Sequence, residues 1–164
     1  MAVLFKNVKL RFLNLVPIIL LFFVSLNGAS VIDLKFFSIN ILYILVYFYV
    51  LRQPQSLGYG FIFLAGVITD VVHGFPIGIN ALTLLAIAAV ASYVRVVTVR
   101  ITLLNDWISF IPALLIANLI YFISLTLSSY EISYLYLFTN SIFTLAFYPI
   151  LWGVFSTILS FSRP

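Results

Sequence analysis

The spacing of the charges is what most narrows the folds open to this chain. Eight Lys or Arg and four Asp or Glu are scattered over 164 residues, and between them lie long uncharged runs. The runs go from Arg11 to Asp33, Lys35 to Arg52, Arg52 to Asp70, Asp70 to Arg95, Asp106 to Glu131 and Glu131 to Arg163. A helix that crosses the hydrocarbon core of a bilayer needs about 20 predominantly apolar residues, with about 17 as the lower end. The runs therefore predict six transmembrane helices, at 12–31, 35–51, 56–73, 77–94, 107–128 and 134–160. The expected fold is an all-α integral membrane protein, with residues 1–164 forming one six-helix bundle.

Composition supports this class. Of the residues, 65% are hydrophobic and 7% charged, whereas soluble domains carry roughly 25% charged residues. So little charge cannot clothe a globule in a wetted surface. A barrel is disfavoured because its strands alternate polar and apolar residues, and these runs are apolar on every face. The formal net charge of +4 does not suggest nucleic acid, since the basic residues stand singly and form no stripe that tracks phosphates. Cysteine is absent, so there is no disulfide framework and no thiolate chemistry. The start, "MAVLFKNVKLR" and an apolar run, mimics a signal peptide. The run is long, and "SLNGAS" is a poor cleavage site, so an uncleaved first span is expected.

Lys and Arg in short loops set orientation. With the N-terminus in the cytoplasm, Lys6, Lys9, Arg11, Arg52, Arg95, Arg100 and Arg163 all fall inside, and only Lys35 falls outside. Both termini are expected to be cytoplasmic. Tyr47, Tyr49, Tyr93, Trp107 and Trp152 then lie near inner helix ends, and Tyr130, Tyr134 and Tyr136 near the outer face, as interfacial aromatics should. The largest loop runs from about Val96 to Asp106, and its Arg95, Arg100 and Asp106 are placed to meet anionic headgroups or a cytoplasmic partner.

The stretch "GVITDVVHGFPIGIN", Gly66 to Asn80, puts an acid, the single histidine, glycines and a proline inside an apolar tract. Gly58, Ile62, Gly66, Asp70 and Gly74 recur every four residues and share one side of span 3. Span 4 has a matching side of mostly small residues: Gly78, Ala81, Leu85, Ala88, Ala89 and Ser92. Small faces let helices approach closely in lipid, so spans 3 and 4 should pair tightly and antiparallel. Gly74 is suited to end span 3 and Pro76 to open the first turn of span 4.

Asp70 sits one turn inside the end of span 3. A carboxylate at membrane depth is costly, about 2.5–3.5 kcal/mol on insertion scales, so it needs donors. The free amides at the start of span 4 and His73 are candidates. Three roles stay open: Asp70 caps and locks the turn; Asp70 and His73 bind a proton, ion or substrate; or the pair contacts a partner.

No catalytic or metal-binding constellation accompanies it. An Asp–His pair with no third group is a weak catalytic signal, and one histidine without cysteine argues against a metal site. No glycine-rich phosphate loop is present. No enzyme activity and no cofactor are expected. Asn14, Asn40, Asn80, Asn118 and Asn140 are expected to hydrogen-bond across helices. Pro149 removes a backbone bond to Leu145 in span 6.

The order Arg52, Pro54 and then G-x-x-x-D-x-x-x-G-x-P-x-G-x-N-A-L from Gly66 to Leu82 resembles the bacterial rod shape-determining membrane protein MreD family. Length, six spans and a cytoplasmic N-terminus match it across the chain. Phe75 stands where the family often has a small residue, and Asn80 where it often has histidine or serine. The resemblance implies a non-catalytic scaffold of the bacterial cytoplasmic membrane. Such a scaffold supports peptidoglycan synthesis and cell shape by binding MreC, a single-span protein with a periplasmic domain. The wider complex it implies includes the MreB filament, a RodA-type glycan polymerase and a penicillin-binding transpeptidase. It also implies a fold similar to the substrate-binding S-components of energy-coupling-factor transporters. A rival reading, a vitamin-binding subunit of such a transporter, predicts a pocket near the outer face where polar and aromatic residues converge.

Overall fold

The computed structural model describes residues 15–27, 33–34, 37–98, 102–129 and 134–162. Six helices occupy most of them: α1 Leu15–Leu26, α2 Ile41–Arg52, α3 Tyr59–His73, α4 Ile79–Val97, α5 Leu103–Leu127 and α6 Tyr134–Ser162. Between α1 and α2 two short strands, β1 Asp33–Leu34 and β2 Phe37–Ser38, pair antiparallel, with Asp33 opposite Ser38 and Leu34 opposite Phe37. Expectations that rest on Lys6, Lys9, Arg11, Asn14, Lys35, Arg100, Tyr130, Glu131 and Arg163 lie outside the described residues.

Three helices, Ile79–Val97, Leu103–Leu127 and Leu135–Ser160, are long and apolar enough to cross a membrane. Their outward sides are greasy. Along α5, Leu104, Ile108, Ile111, Leu115 and Leu119 are all exposed at helical spacing. A water-soluble protein does not carry continuous apolar stripes of this length unpartnered, and lipid is the medium that suits them. The chain is a helical membrane protein.

α2 and α3 are shorter than the uncharged runs lead one to expect. At 1.5 Å per residue, the 12 residues of α2 reach about 18 Å. The ladder takes up the start of the second run, and Asn40 then caps α2 by accepting from the Tyr43 N–H at 3.1 Å. Polar anchors hold this entry. The Asn40 N–H donates to Thr144 Oγ1 of α6 at 2.9 Å, and Asn140 Nδ2 donates to Ser38 Oγ at 2.7 Å.

α2 is the centre of the bundle. Every residue from Leu42 to Leu51 is buried, as a helix apolar all round should be, and it packs against α4 and α6. Tyr47 and Tyr49 are therefore core residues and not interfacial ones. The rings of Tyr47, Phe110 and Tyr148 pack together, Phe110 and Tyr148 with centroids 4.7 Å apart. α1 lies beside α3, where Phe22 meets Phe61 edge-on.

α3 and α4 form an antiparallel pair. The buried residues of α3 are Ile62, Ala65, Gly66, Thr69 and Asp70, the one-sided pattern of a helix. Those of α4 include Ile79, Asn80, Ala81, Leu84, Ala88 and Ala91, whereas Ala89 is exposed. Gly66 is the point of closest approach. A Cβ there would lie 2.3 Å from Ala81 Cα and 2.5 Å from Ala81 N, so only glycine fits.

α6 runs through Pro149, which has no N–H to offer the Leu145 carbonyl one turn back. Trp107 of α5 supplies the missing donor, its indole Nε1–H reaching Leu145 O at 2.9 Å.

Candidate functional site

The elbow that joins α3 to α4 is built from the "DVVHGFPIGIN" segment. α3 ends at Gly74, whose φ of 67° is open to glycine at little cost. The Phe75 N–H donates to Asp70 O at 2.9 Å and the Gly74 N–H to Val71 O at 3.2 Å, which is the Schellman closure of a helix. α4 begins later than the proline suggests. Gly78, at φ 112°, is its N-cap and Ile79 its first residue. Pro76 thus lies in the connection and not in the first turn of α4. The chain needs the glycine-only conformation of Gly78 to turn into the helix.

Asp70 joins the two helix ends. Its carboxylate is fully buried and accepts three hydrogen bonds, from the Gly78 N–H at 2.7 Å and from the Asn80 N–H and Asn80 Nδ2 at 2.9 Å each. The two backbone amides are among the unsatisfied donors at the start of α4, and the positive end of the helix dipole adds to the attraction. The carboxylate thus caps α4 from α3, while the carbonyl of the same residue closes α3.

His73 does not join this cluster. Its Nδ1 is 2.8 Å from Thr69 O. A carbonyl only accepts, so Nδ1 carries a proton and donates, and in the neutral tautomer Nε2 is the acceptor. The ring stacks on Phe75, 5.4 Å between centroids and 6° between planes. Three donors already surround the Asp70 carboxylate, which leaves the imidazole to turn outward.

Beside the elbow lies a cavity of about 100 Å3. His73, Phe75 and Asn80 border it on the elbow side, Asn40 and Tyr43 from α2, and Asn118 and Tyr121 from α5. Ser38, Tyr136, Leu137 and Asn140 complete the rim, with Tyr136 and Asn140 both bonded to the Ser38 hydroxyl. Asn118 also bridges α5 to α6, its Nδ2 lying 2.8 Å from Ser141 Oγ.

The opposite end of α2 carries a second polar cluster, which sequence reasoning missed. Arg52 is the last residue of α2 and does not sit in a loop. Its Nη2 donates to Asp106 Oδ2 at 2.9 Å, and Trp152 Nε1 donates to the same oxygen at 2.9 Å. The guanidinium also lies 5.2 Å from the Trp152 ring centre and 5.9 Å from that of Phe48, within cation–π range. Asp106 is 2% exposed. The expectation that Asp106 belongs to a loop open to headgroups or a filament is therefore corrected. α5 starts at Leu103 and draws the acid into the bundle against Arg52. Arg95 likewise lies within α4, which runs on to Val97. The usable signal was one acid among several arginines at the same expected membrane face. Pro54, two residues past Arg52, lies exposed in the α2–α3 connection.

Among the described residues, no three His, Cys, Asp or Glu gather in a way that could hold a metal ion. Chemically, the elbow is a charge-assisted clasp. The cavity offers hydrogen-bond donors and acceptors and is lined by no Lys or Arg. Comparison of the chain with protein-family models, with curated proteins and with solved structures returns no match. Any functional reading therefore stands on the residues and their geometry.

Proposed function

We propose that this chain is a non-catalytic scaffold of a bacterial cell-elongation complex, an MreD-like protein that supports peptidoglycan synthesis and cell shape. In this reading six helices cross the cytoplasmic membrane as one bundle similar to the S-component fold, with both termini in the cytoplasm. An MreC-like bitopic protein is the direct partner, and MreB, a RodA-type polymerase and a penicillin-binding transpeptidase belong to the wider assembly.

The observation that carries the reading is the internal use of the motif. Gly66 sets the helix approach, Gly74 and Gly78 make the two turns, and Asp70 holds both helix ends with Asn80. Each of these residues has an architectural task, and together they form no reactive centre. Arg52 is likewise engaged with Asp106. What such a protein offers a partner is its lipid-facing helix surface. The vitamin-binding rival gains less support. The cavity lies among polar and aromatic residues, but at about 100 Å3 it is well under the roughly 300–1,000 Å3 of sites that enclose drug-sized ligands.

The test is depletion in a rod-shaped host, together with purification in mild detergent. Rounding or widening of the cells and recovery of a bitopic protein with a periplasmic coiled-coil domain are the expected results. Cells that keep their rod form and width count against the scaffold, and recovery of an ATPase module with a bound vitamin would favour the rival.

A further inference from the structure

The cavity beside the elbow has a hydrogen-bonding pattern that the rest of the bundle leaves unsatisfied. Four of its side chains have their free atoms fixed by the bonds they already make. Asn80 Nδ2 donates to the Asp70 carboxylate, so Asn80 Oδ1 remains as an acceptor. Ser141 Oγ donates to Leu137 O at 2.6 Å and must therefore accept from Asn118 Nδ2, which leaves Asn118 Oδ1. His73 Nδ1–H donates to Thr69 O, which leaves Nε2. Asn40 Oδ1 accepts from the Tyr43 N–H, which leaves the Asn40 amide N–H groups. The hydroxyls of Tyr43 and Tyr121 have no hydrogen-bond partner among the described residues. Tyr43 is 3% exposed and Asn80 5%. The other four groups belong to residues that are half-buried or, at His73, exposed, so the cavity offers free hydrogen-bonding capacity that a ligand can reach.

Three acceptors and three donors therefore border one small space. No Lys or Arg lines it, which disfavours an anion. The nearest carboxylate, Asp70, already accepts three bonds from the elbow, which disfavours a cation. A hydroxyl group is the match, since each one both donates and accepts. The Phe75 ring, stacked on His73 and edge-on to Tyr121, supplies an apolar wall for the carbon side of such a ligand. At about 30 Å3 of liquid per molecule, the volume holds roughly three waters, which is the scale of a glycerol unit and not of a large cofactor.

We propose that this cavity is a binding site for a small uncharged group bearing vicinal hydroxyls, a glycerol-type polyol either free or as the headgroup of a neutral lipid. The proposal goes beyond the scaffold reading and does not depend on it, because cell shape can be lost or kept whatever this site holds.

The experiment uses the full chain in detergent micelles and ligand-detected saturation-transfer NMR. The probes are glycerol and monoolein, a neutral lipid ending in two free hydroxyls, with methyl oleate as the hydroxyl-free control. Saturable binding of at least one hydroxyl probe, with affinity on the order of millimolar for glycerol, is expected. Binding of both marks a free polyol site, and binding of monoolein alone marks a lipid headgroup. Tyr43→Phe and Tyr121→Phe keep the ring and remove one donor each, so each should weaken binding about threefold to tenfold. Their melting temperatures serve as the check on folding. Equal response to methyl oleate, no saturable binding to a folded protein, or unchanged binding in both variants overturns the proposal. So does saturable binding of methylammonium with none of either hydroxyl probe, which would make this a cation site.

Discussion

Trp107 of α5 gives its indole N–H to Leu145 of α6, the one carbonyl that Pro149 strips of its helical partner. The bond repairs the ladder of α6 and ties two long helices together in the same contact. Trp107→Phe should destabilise the protein by about 1–3 kcal/mol, because a half-buried carbonyl loses its donor. In a Pro149→Ala background, where the backbone N–H is restored, the same substitution should cost clearly less. A double-mutant cycle on melting in detergent reads the coupling, and a coupling of zero would mean that the indole bond does not serve that carbonyl.

Gly66→Ala forces a methyl group against the backbone of Ala81 and Asn80. Backbone cannot rotate away, so α3 and α4 must part. The cost should reach the upper end of overpacking, about 3 kcal/mol or more, read as loss of thermal stability or of folded yield. Gly153→Ala is the control. Nothing lies within 4 Å of a Cβ at Gly153, and inside a helix the exchange should be neutral or stabilising by about 0.5–1 kcal/mol.

Asp70→Asn tests the clasp. The amide keeps one acceptor oxygen but turns an NH2 toward the Gly78 and Asn80 donors, and the charge that favours the start of α4 is gone. A loss of about 2–4 kcal/mol is expected, since bonds to charged groups are worth about 1.5–3 kcal/mol each and the donors are left unpaired. Denaturation in detergent measures it. A variant as stable as the parent yet inactive in cells would shift Asp70 from a clasp to a functional group.

How far these features are legible in the sequence depends on the range over which they are built. The elbow is local. Gly74, Pro76, Gly78 and an acid eight and ten residues from its donors can be placed by spacing alone, and the four-residue step from Ile62 to Asp70 shows which side of α3 is buried. Pro76 is less informative, because proline marks a helix start only to within a turn, and Gly78 decides the matter. The ends of α2 are hidden for a different reason. Charge spacing reports where lipid allows a helix to run, whereas a central helix is cut to length by its neighbours. The Arg52–Asp106 pair spans 54 residues, and the cavity gathers side chains from Ser38 to Asn140. Contacts between helices so far apart in the chain leave no periodic trace.

The Arg52–Asp106 pair should be more harmful to break than to remove. Arg52→Met leaves Asp106 buried with only the Trp152 donor, and a stranded buried charge costs about 3–5 kcal/mol. Arg52→Met with Asp106→Leu takes out both charges and should recover much of that loss. If the double variant is as unstable as the sum of the singles, the two side chains do not act as a pair.

The absence of cysteine from the sequence makes the proposed threading directly testable, because a single introduced thiol is the only one to label. Gln55 lies exposed in the α2–α3 connection, beyond the Arg52 end of α2. Ile77 is 74% exposed at the tip of the elbow. α3 separates the two, so one crossing puts them on opposite sides of the membrane. With a cytoplasmic N-terminus, Ile77→Cys should react with a membrane-impermeant maleimide in intact cells, and Gln55→Cys only after permeabilisation. The reverse pattern would keep the crossing and invert the bundle. Labelling of both positions from the same side would mean that α3, at 15 residues, does not cross the membrane, and the six-span arrangement would fall with it.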